Sequence, residues 1–246
     1  GEESRTESED GAQEHYVREF RLEHGLPVWV FEAWGYTIEK RMLLVHGQNT
    51  VHITYRLLSG QECAKLELCP SVHFRRYEHD VTEAFAAGYS LLIHERRYEL
   101  STAGIPYSLR LYVNDEKACF RHEGGHVREI SYQTEADRGY HSRGMLWSPG
   151  AFTFDLRTDR PVTLVASTED WSSILAIDPQ SALAADVARR QRLISAAAPM
   201  VQGTTASELV LAADQFIITP AGRIEDAARA KAAGPVASPK AVAPPK

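Results

Sequence analysis

One change of hydrophobic period governs what this chain can fold into. From Tyr16 to about Thr168 apolar and polar residues alternate, and after Trp171 the apolar residues recur at helical spacing. In TVHITYRLL, Val51, Ile53, Tyr55 and Leu57 point to one side while His52, Thr54 and Arg56 point to the other. Tyr107, Leu109, Leu111 and Val113 alternate with Ser108, Arg110 and Tyr112, and Phe152, Phe154 and Leu156 alternate with Thr153, Asp155 and Arg157. Each is the pattern of a strand with one face on a core. Ser59-Gly60, Asn114-Asp115, Gly124-Gly125 and Ser148-Pro149-Gly150 supply turn chemistry between such runs. About ten to twelve strands with short connections imply antiparallel pairing, and that number suggests two large sheets packed face to face.

The helical part has its own punctuation. Asp178-Pro179 is an N-cap followed by proline at the first helical position, where a missing N–H costs nothing. Leu183, Val187 and Ile194 then share a face, with Arg189, Arg190 and Arg192 expected largely opposite, and the helix should stop near Pro199. Thr205 with Glu208 three residues on reads as a capping box for a second helix with a stripe of Leu209, Ala213 and Phe216. Residues 1–14 hold six carboxylates and read as a disordered acidic lead, while 234–246 (GPVASPKAVAPPK) read as a flexible Pro/Ala-rich tail. The expected organisation is a β-sandwich over 15–175 and a helical linker over 176–233.

Composition narrows the function. Lys and Arg number 27 against 33 Asp and Glu, a formal charge of −6, which argues against a nucleic-acid partner. No apolar run reaches the roughly 18 residues that span a bilayer, and the acidic start is unlike a signal peptide, so neither a membrane partner nor export is expected. Three cysteines without CxxC spacing point to free thiols in a reducing compartment, packing as small apolar groups.

His122-Glu123-Gly124-Gly125-His126 fits the HExxH expression of zinc hydrolases, whose logic needs a helix that stacks two histidines one turn apart. Paired glycines flanked by strand-like residues favour a hairpin turn instead. Among strand-like segments lie His52, His73, His94 and His122, where a solvated or hydrogen-bonded histidine is the common outcome, and no metal site follows. No nucleotide motif and no cysteine- or serine-nucleophile signature is present, so no cofactor and no catalytic residue can be named. The segment RGYHSRGMLWSPGAF, 138–152, reads as a loop that sets Tyr140 and Trp147 among glycines with Arg138 and Arg143 nearby. Aromatic faces suit sugar rings and arginine donates to hydroxyls, which makes Arg138, Tyr140 and Trp147 candidate substrate-binding residues. Against this, the favoured role for Trp147 is to plug the end of the sandwich or an interdomain contact, since large aromatics are mostly buried. Trp29 and Trp34, in apolar surroundings, read as core.

Taken together, EKRMLLVHGQNTVHITYRLLSG (39–60), RGYHSRGMLWSPGAF (138–152), TLVASTEDW (163–171) and ELVLAADQFI (208–217) resemble, in order, the N-terminal domain of the bacterial and archaeal type of glycogen debranching enzyme, the amylo-alpha-1,6-glucosidase family. The resemblance covers about residues 17 to 223. It implies a large antiparallel β-sandwich joined through a helical linker to an α/α toroid, which carries the catalytic carboxylates, and a cytoplasmic place in glycogen breakdown. It further implies α-glucan (glycogen, branched dextrin) and the toroid, in cis or as a separate subunit, as partners. Two departures accompany it: the family's Asn- and Gly-rich opening is not seen before Tyr16, and GPVASPKAVAPPK stands where the family continues into the toroid. The expectation is a truncated, non-catalytic portion, inactive alone, with an autonomous glucan-binding module and a metal-dependent hydrolase built on the HEGGH segment as the other readings.

Overall fold

A computed structural model describes residues 16–75, 79–82 and 88–216. The expected acidic lead, the Pro/Ala-rich tail and the linker beyond residue 216 lie outside the described residues. The described part of the chain opens as a meander of β1 (Val17–Glu23), β2 (Leu26–Ala33), β3 (Tyr36–Leu44) and β4 (Thr50–Ser59), followed by β5 (Cys63–Leu68). Then come β6 (Tyr89–His94), β7 (Arg97–Thr102), β8 (Leu109–Val113) and β9 (Cys119–Ser131). After helix α1 (Gln133–Asp137), the long β10 (Arg143–Arg157) and β11 (Val162–Ser167) complete the strands. Helices α2 (Trp171–Ile174), α3 (Pro179–Ala196) and α4 (Ala206–Asp214) follow, so the change of period near Trp171 is a change of structure.

All pairings are antiparallel and form an eight-stranded sheet, β1-β2-β3-β4-β11-β8-β7-β6, and a three-stranded one, β5-β10-β9. The fold is thus mainly β, a sandwich, with one large sheet and one small one in place of two large ones. The core lies between them. Leu57, Tyr98, Leu100, Leu111, Val113, Val162 and Leu164 of the large sheet pack on Ala64, Phe152, Phe154 and Leu156 of the small one. At its centre Phe152 sits 4.8 Å, ring to ring, from both Tyr98 and Phe120. Full burial of one such side chain is worth about 1.5–3 kcal/mol.

Two tight hairpins explain the start of the meander. His24-Gly25 (φ 53° and 71°) and Trp34-Gly35 (φ 48° and 78°) are two-residue connections with both central residues left-handed, the geometry that matches the twist of the flanking strands. This corrects the placement of Trp34 in the core: at the tip of a hairpin it is 83% exposed, with Tyr16 as its ring contact at 5.2 Å. Trp29 is half-buried on β2 against Phe20 and beneath Lys40.

The second face of the large sheet explains two further departures from simple alternation. In β4, Thr50 and His52 are buried although they lie on the expected polar side. The helices cover that side: Leu26 and Leu43 pack on Ala182, Leu183 and Val187 of α3, and Leu43 is His52's register partner. Thr50 and Ser167 satisfy each other through their hydroxyls at 2.7 Å.

Asp178 caps α3 as expected, accepting from the N–H groups of Gln180 and Ser181 at 3.0 Å. Arg189 and Arg190, however, turn inward. Asp186, with its side chain 5% exposed, accepts from Arg190 at 2.5 Å and from Arg189 at 3.3 Å. Arg189 also reaches Asp214 of α4 at 2.5 Å, and Arg190 donates to the Gly25 carbonyl at 3.4 Å. These ion pairs tie both helices to the first hairpin. A Cβ on Gly25 would lie 2.9 Å from both Arg190 Nη1 and Leu211 Cδ1, so that position requires glycine for space as well as for its φ.

At α4 the expected capping box does not form: Thr205 has helical angles and makes no side-chain cap, so the helix starts from a preceding turn. Leu211 is the residue that α4 buries, while Leu209 and Phe216 are largely exposed. No helix among the described residues is long and apolar enough to cross a membrane.

Candidate functional site

The two glycine-containing signals that the sequence offers as separate turns meet across one strand pair. Along β10 the register steps from Ser148, opposite His126, to Gly150, opposite His122: two residues on β10 against four on β9. Gly124 and Gly125 (φ 70° and 77°) absorb the excess as a bulge within β9, so they do not form the expected hairpin turn. Opposite them sits Pro149, where a ladder N–H is not needed. Gly150 (φ 140°) brings β10 so close to β9 that a Cβ would stand 2.0 Å from the Arg121 carbonyl oxygen.

The bulge seats Trp147. A Cβ on Gly125 would lie 2.6 Å from Trp147 Nε1, so the indole rests directly on the glycine backbone. Trp147 belongs to β10, not to a loop, and is half-buried against the core. Its ring meets Tyr89 edge-on at 5.1 Å, and Tyr89 meets Phe74 at 5.4 Å. The Trp147 N–H donates to the Val72 carbonyl at 2.9 Å and its carbonyl accepts from Val72 at 2.8 Å. The residue thereby fastens the segment after β5 to the small sheet.

Arg138 and Tyr140 stand further along, on the connection from α1 to β10. The Tyr132 N–H donates to the Ser142 carbonyl at 2.7 Å and closes the base of this connection. Within it, the Tyr140 N–H donates to Glu135 at 2.9 Å and Gly139 turns with φ 75°. Arg138 is exposed and Tyr140 is 67% exposed. Among the described residues no ring contact joins Tyr140 to Trp147. The structure brings Arg138 and Tyr140 onto one short connection and places Trp147 apart from them, half-buried on β10 against Tyr89 and Gly125.

Sequence reasoning missed a pair beside them. His141 Nδ1 lies 2.9 Å from Asp80 Oδ2, and the other oxygen of Asp80 accepts from the Thr82 N–H at 2.9 Å and its hydroxyl at 3.0 Å. The Thr82 N–H, with the hydroxyl and His141, holds the Asp80 carboxyl below its ordinary range. Gly144 completes the brace, since a Cβ there would fall 2.5 Å from the Val81 carbonyl. His141 lies inside the segment already singled out, but Asp80 is about sixty positions away in a stretch without periodicity, so only the fold could reveal the pair. An exposed phenol ring, a guanidinium and an imidazole–carboxylate pair suit recognition of a neutral polyhydroxyl surface, with donors and acceptors around one aromatic face.

The HEGGH segment has no helical geometry. It lies in β9, where His126 is 3.6 Å from Glu123, and Arg121 donates to the same carboxylate at 2.9 Å. Among the described residues no group of three His, Cys, Asp or Glu is arranged to hold a metal ion. His94 and His122 are exposed on strands, and His73 falls outside the strands. His52 departs from the expected solvated or bonded state: it is buried, its Nδ1 has no hydrogen-bond partner among the described residues, and burial pushes its pKa down. The cysteines are free, but Cys69 and Cys119 are exposed instead of packed. Partial burial and the neighbouring Glu67 and Glu123 push the Cys69 thiol up, away from nucleophilic character.

A search of curated proteins finds no match to the chain. A family model described as "Glycogen debranching enzyme N terminal" matches residues 5–163, which takes in every strand through the start of β11 and the whole 138–147 region. With nearly two thirds of its length matched and a mainly β sandwich as its fold, the chain belongs to the glycogen debranching enzyme N-terminal domain family.

Proposed function

We propose that this chain is the non-catalytic β-sandwich of an amylo-alpha-1,6-glucosidase, a debranching enzyme that hydrolyses α-1,6 linkages at branch points of glycogen or dextrins in cytoplasmic glycogen catabolism. The family match over residues 5–163 carries the reading. In it, the sandwich covers one face of an α/α toroid, present in cis or as a separate subunit, and shapes the entrance for a branched glucan. Arg138, Tyr140 and Trp147 make the substrate-side or toroid-side contacts, Trp147 from its half-buried place on β10. The exposed Leu209 and Phe216 dock the helical segment onto the toroid. The catalytic carboxylates are supplied by the toroid. Incubation of the chain with branched dextrin tests this: no glucose should appear, and release at an enzymatic rate would refute the non-catalytic role.

A second reading, in which the sandwich itself holds glucan, is favoured by the exposure of Tyr140 beside Arg138. Native electrophoresis in glycogen-containing gels separates the two. Retardation that Tyr140→Ala abolishes would establish autonomous binding, and unretarded migration of the unaltered chain would remove it.

A further inference from the structure

Among the described residues β1 is one edge of the large sheet. Its partners across that sheet run Phe20, Trp29, Lys40, Tyr55, Val162, so Phe20 lies on the face that elsewhere carries the core. The small sheet does not reach it: Phe20 and Leu22 are each 56% exposed. Backbone polarity follows from the register. Leu22 stands opposite Pro27, which has no N–H, so this pair is a non-bonded one and Leu22 aims its own N–H and C=O at the open edge. Two residues earlier Phe20 does the same. Among the described residues the edge therefore offers unpaired backbone groups flanked by two exposed apolar side chains, a template for another strand.

Charge selects the strand. The run is Val17-Arg18-Glu19-Phe20-Arg21-Leu22-Glu23. If a second copy of β1 adds antiparallel with Phe20 opposite Phe20, Glu19 of each copy faces Arg21 of the other, and the outward backbone groups of both Phe20 residues meet. Centring on Arg21 instead would set Arg21 against Arg21 and Glu19 against Glu23, opposing like charges directly. Centring on Leu22 would run the strand past the His24-Gly25 turn and lose pairs. We propose that β1 is a self-complementary edge, and that two copies of this chain join through it about a twofold axis into one continuous sheet, with the two Phe20 rings packed between the flanking Trp29 residues.

The test is sedimentation equilibrium of the full chain over a wide concentration range, with folding of each variant checked by circular dichroism. The unaltered chain should dimerise. Glu19→Arg and Arg21→Glu should each weaken dimerisation at least tenfold, because each sets like charges in opposition, and an equimolar mixture of the two should regain it as a heterodimer. Phe20→Lys should give a monomer. Should Arg21→Glu fail to fold, Glu19→Arg and Phe20→Lys decide, since both residues are exposed. A monomeric unaltered chain would overturn the proposal. So would dimers that persist in Glu19→Arg or Phe20→Lys, or dimers that dissociate in Leu209→Asp and not in these variants, which would place the contact on α4.

Discussion

Asp186→Ala tests whether the inward-turned arginines are what fixes the helices to the sandwich. The carboxylate is 5% exposed and holds two guanidiniums, of which Arg190 is 11% and Arg189 22% exposed. Their fates on its removal differ. Arg189 keeps Asp214 at 2.5 Å, whereas Arg190 is left with the Gly25 carbonyl at 3.4 Å, a long hydrogen bond that carries no countercharge. One cation is thus stranded in a buried setting. Breaking a buried pair in this way costs about 3–5 kcal/mol, and because one of the two arginines of the Asp186–Arg189–Arg190 triad keeps a carboxylate, the lower end, about 3 kcal/mol, is the expected loss. For a domain of this size that corresponds to about 6–12 °C in Tm.

The reasoning makes a sharper demand on the double variant. Asp186→Ala with Arg190→Leu leaves no unpaired buried charge and should recover most of the loss, since a buried ion pair can be replaced by apolar groups at little net cost. Urea denaturation gives the stabilities, and native-state hydrogen exchange of 179–196 and 206–214 shows whether the helices open ahead of the sheets. A single-variant loss under about 1 kcal/mol would mean that the triad behaves as a surface cluster. A double variant no better than the single would also refute the argument.

Three further outcomes follow from particular geometries. His52 is buried with a lowered pKa, so the unfolded chain binds its proton more readily; stability from this residue is fully present above about pH 6.5 and declines as pH falls below that value. Denaturation midpoints between pH 5 and pH 8 should therefore rise with pH, and His52→Leu should flatten that part of the rise; an unchanged slope would count against it. Gly125→Ala forces a left-handed alanine and a Cβ into the indole of Trp147, so a loss of about 1–2 kcal/mol with altered tryptophan fluorescence is expected, and an unchanged spectrum would show that the indole does not rest there. Trp34→Asn should be neutral or stabilise by up to about 1 kcal/mol, because asparagine suits the first left-handed position of an Asn-Gly hairpin and the ring is 83% exposed; a loss above about 1 kcal/mol would show that the Tyr16 contact matters.

The parts of the fold legible in sequence are those governed by local periodicity. Alternation marked the second half of β10 because its outer face, Asp155 and Arg157, meets solvent, and Asp178-Pro179 marked α3 because a cap is decided within three residues. Where long-range packing covers the polar face, alternation misleads: His52 sits on the side that looks solvated, yet α3 closes over it. Arg189 and Arg190 were misplaced for the same reason, since inward-facing arginines become reasonable only once Asp186 and Asp214 stand beside them. Trp34 failed for a different one. Its large apolar ring argued for burial, whereas the glycine after it decided a hairpin tip. Of the candidate site, Arg138 and Tyr140 could be named because aromatic and basic residues cluster among glycines, but the brace from Asp80 could not.

Glycines and proline placed inside strands show how the sandwich supports that site. A long strand such as β10 would, with regular pairing to β9, run flat past the core. The bulge at Gly124-Gly125 and the close approach at Gly150 interrupt that regularity, and the absent side chain of Gly125 leaves the space that the Trp147 indole occupies. Trp147 holds Val72 through two backbone hydrogen bonds, and Asp80 pairs with His141, next to Tyr140. Both features lie on β10, which carries Gly144 against the Val81 carbonyl and Trp147 against Gly125, so the bulge and the exposed connection share one strand. A substitution at Gly125 should disturb Tyr140 without touching it, so Gly125→Ala and Tyr140→Ala should alter any glucan retardation in the same direction. If Gly125→Ala shifts the fluorescence of Trp147 yet leaves Tyr140-dependent retardation intact, the two ends of this chain of contacts are uncoupled.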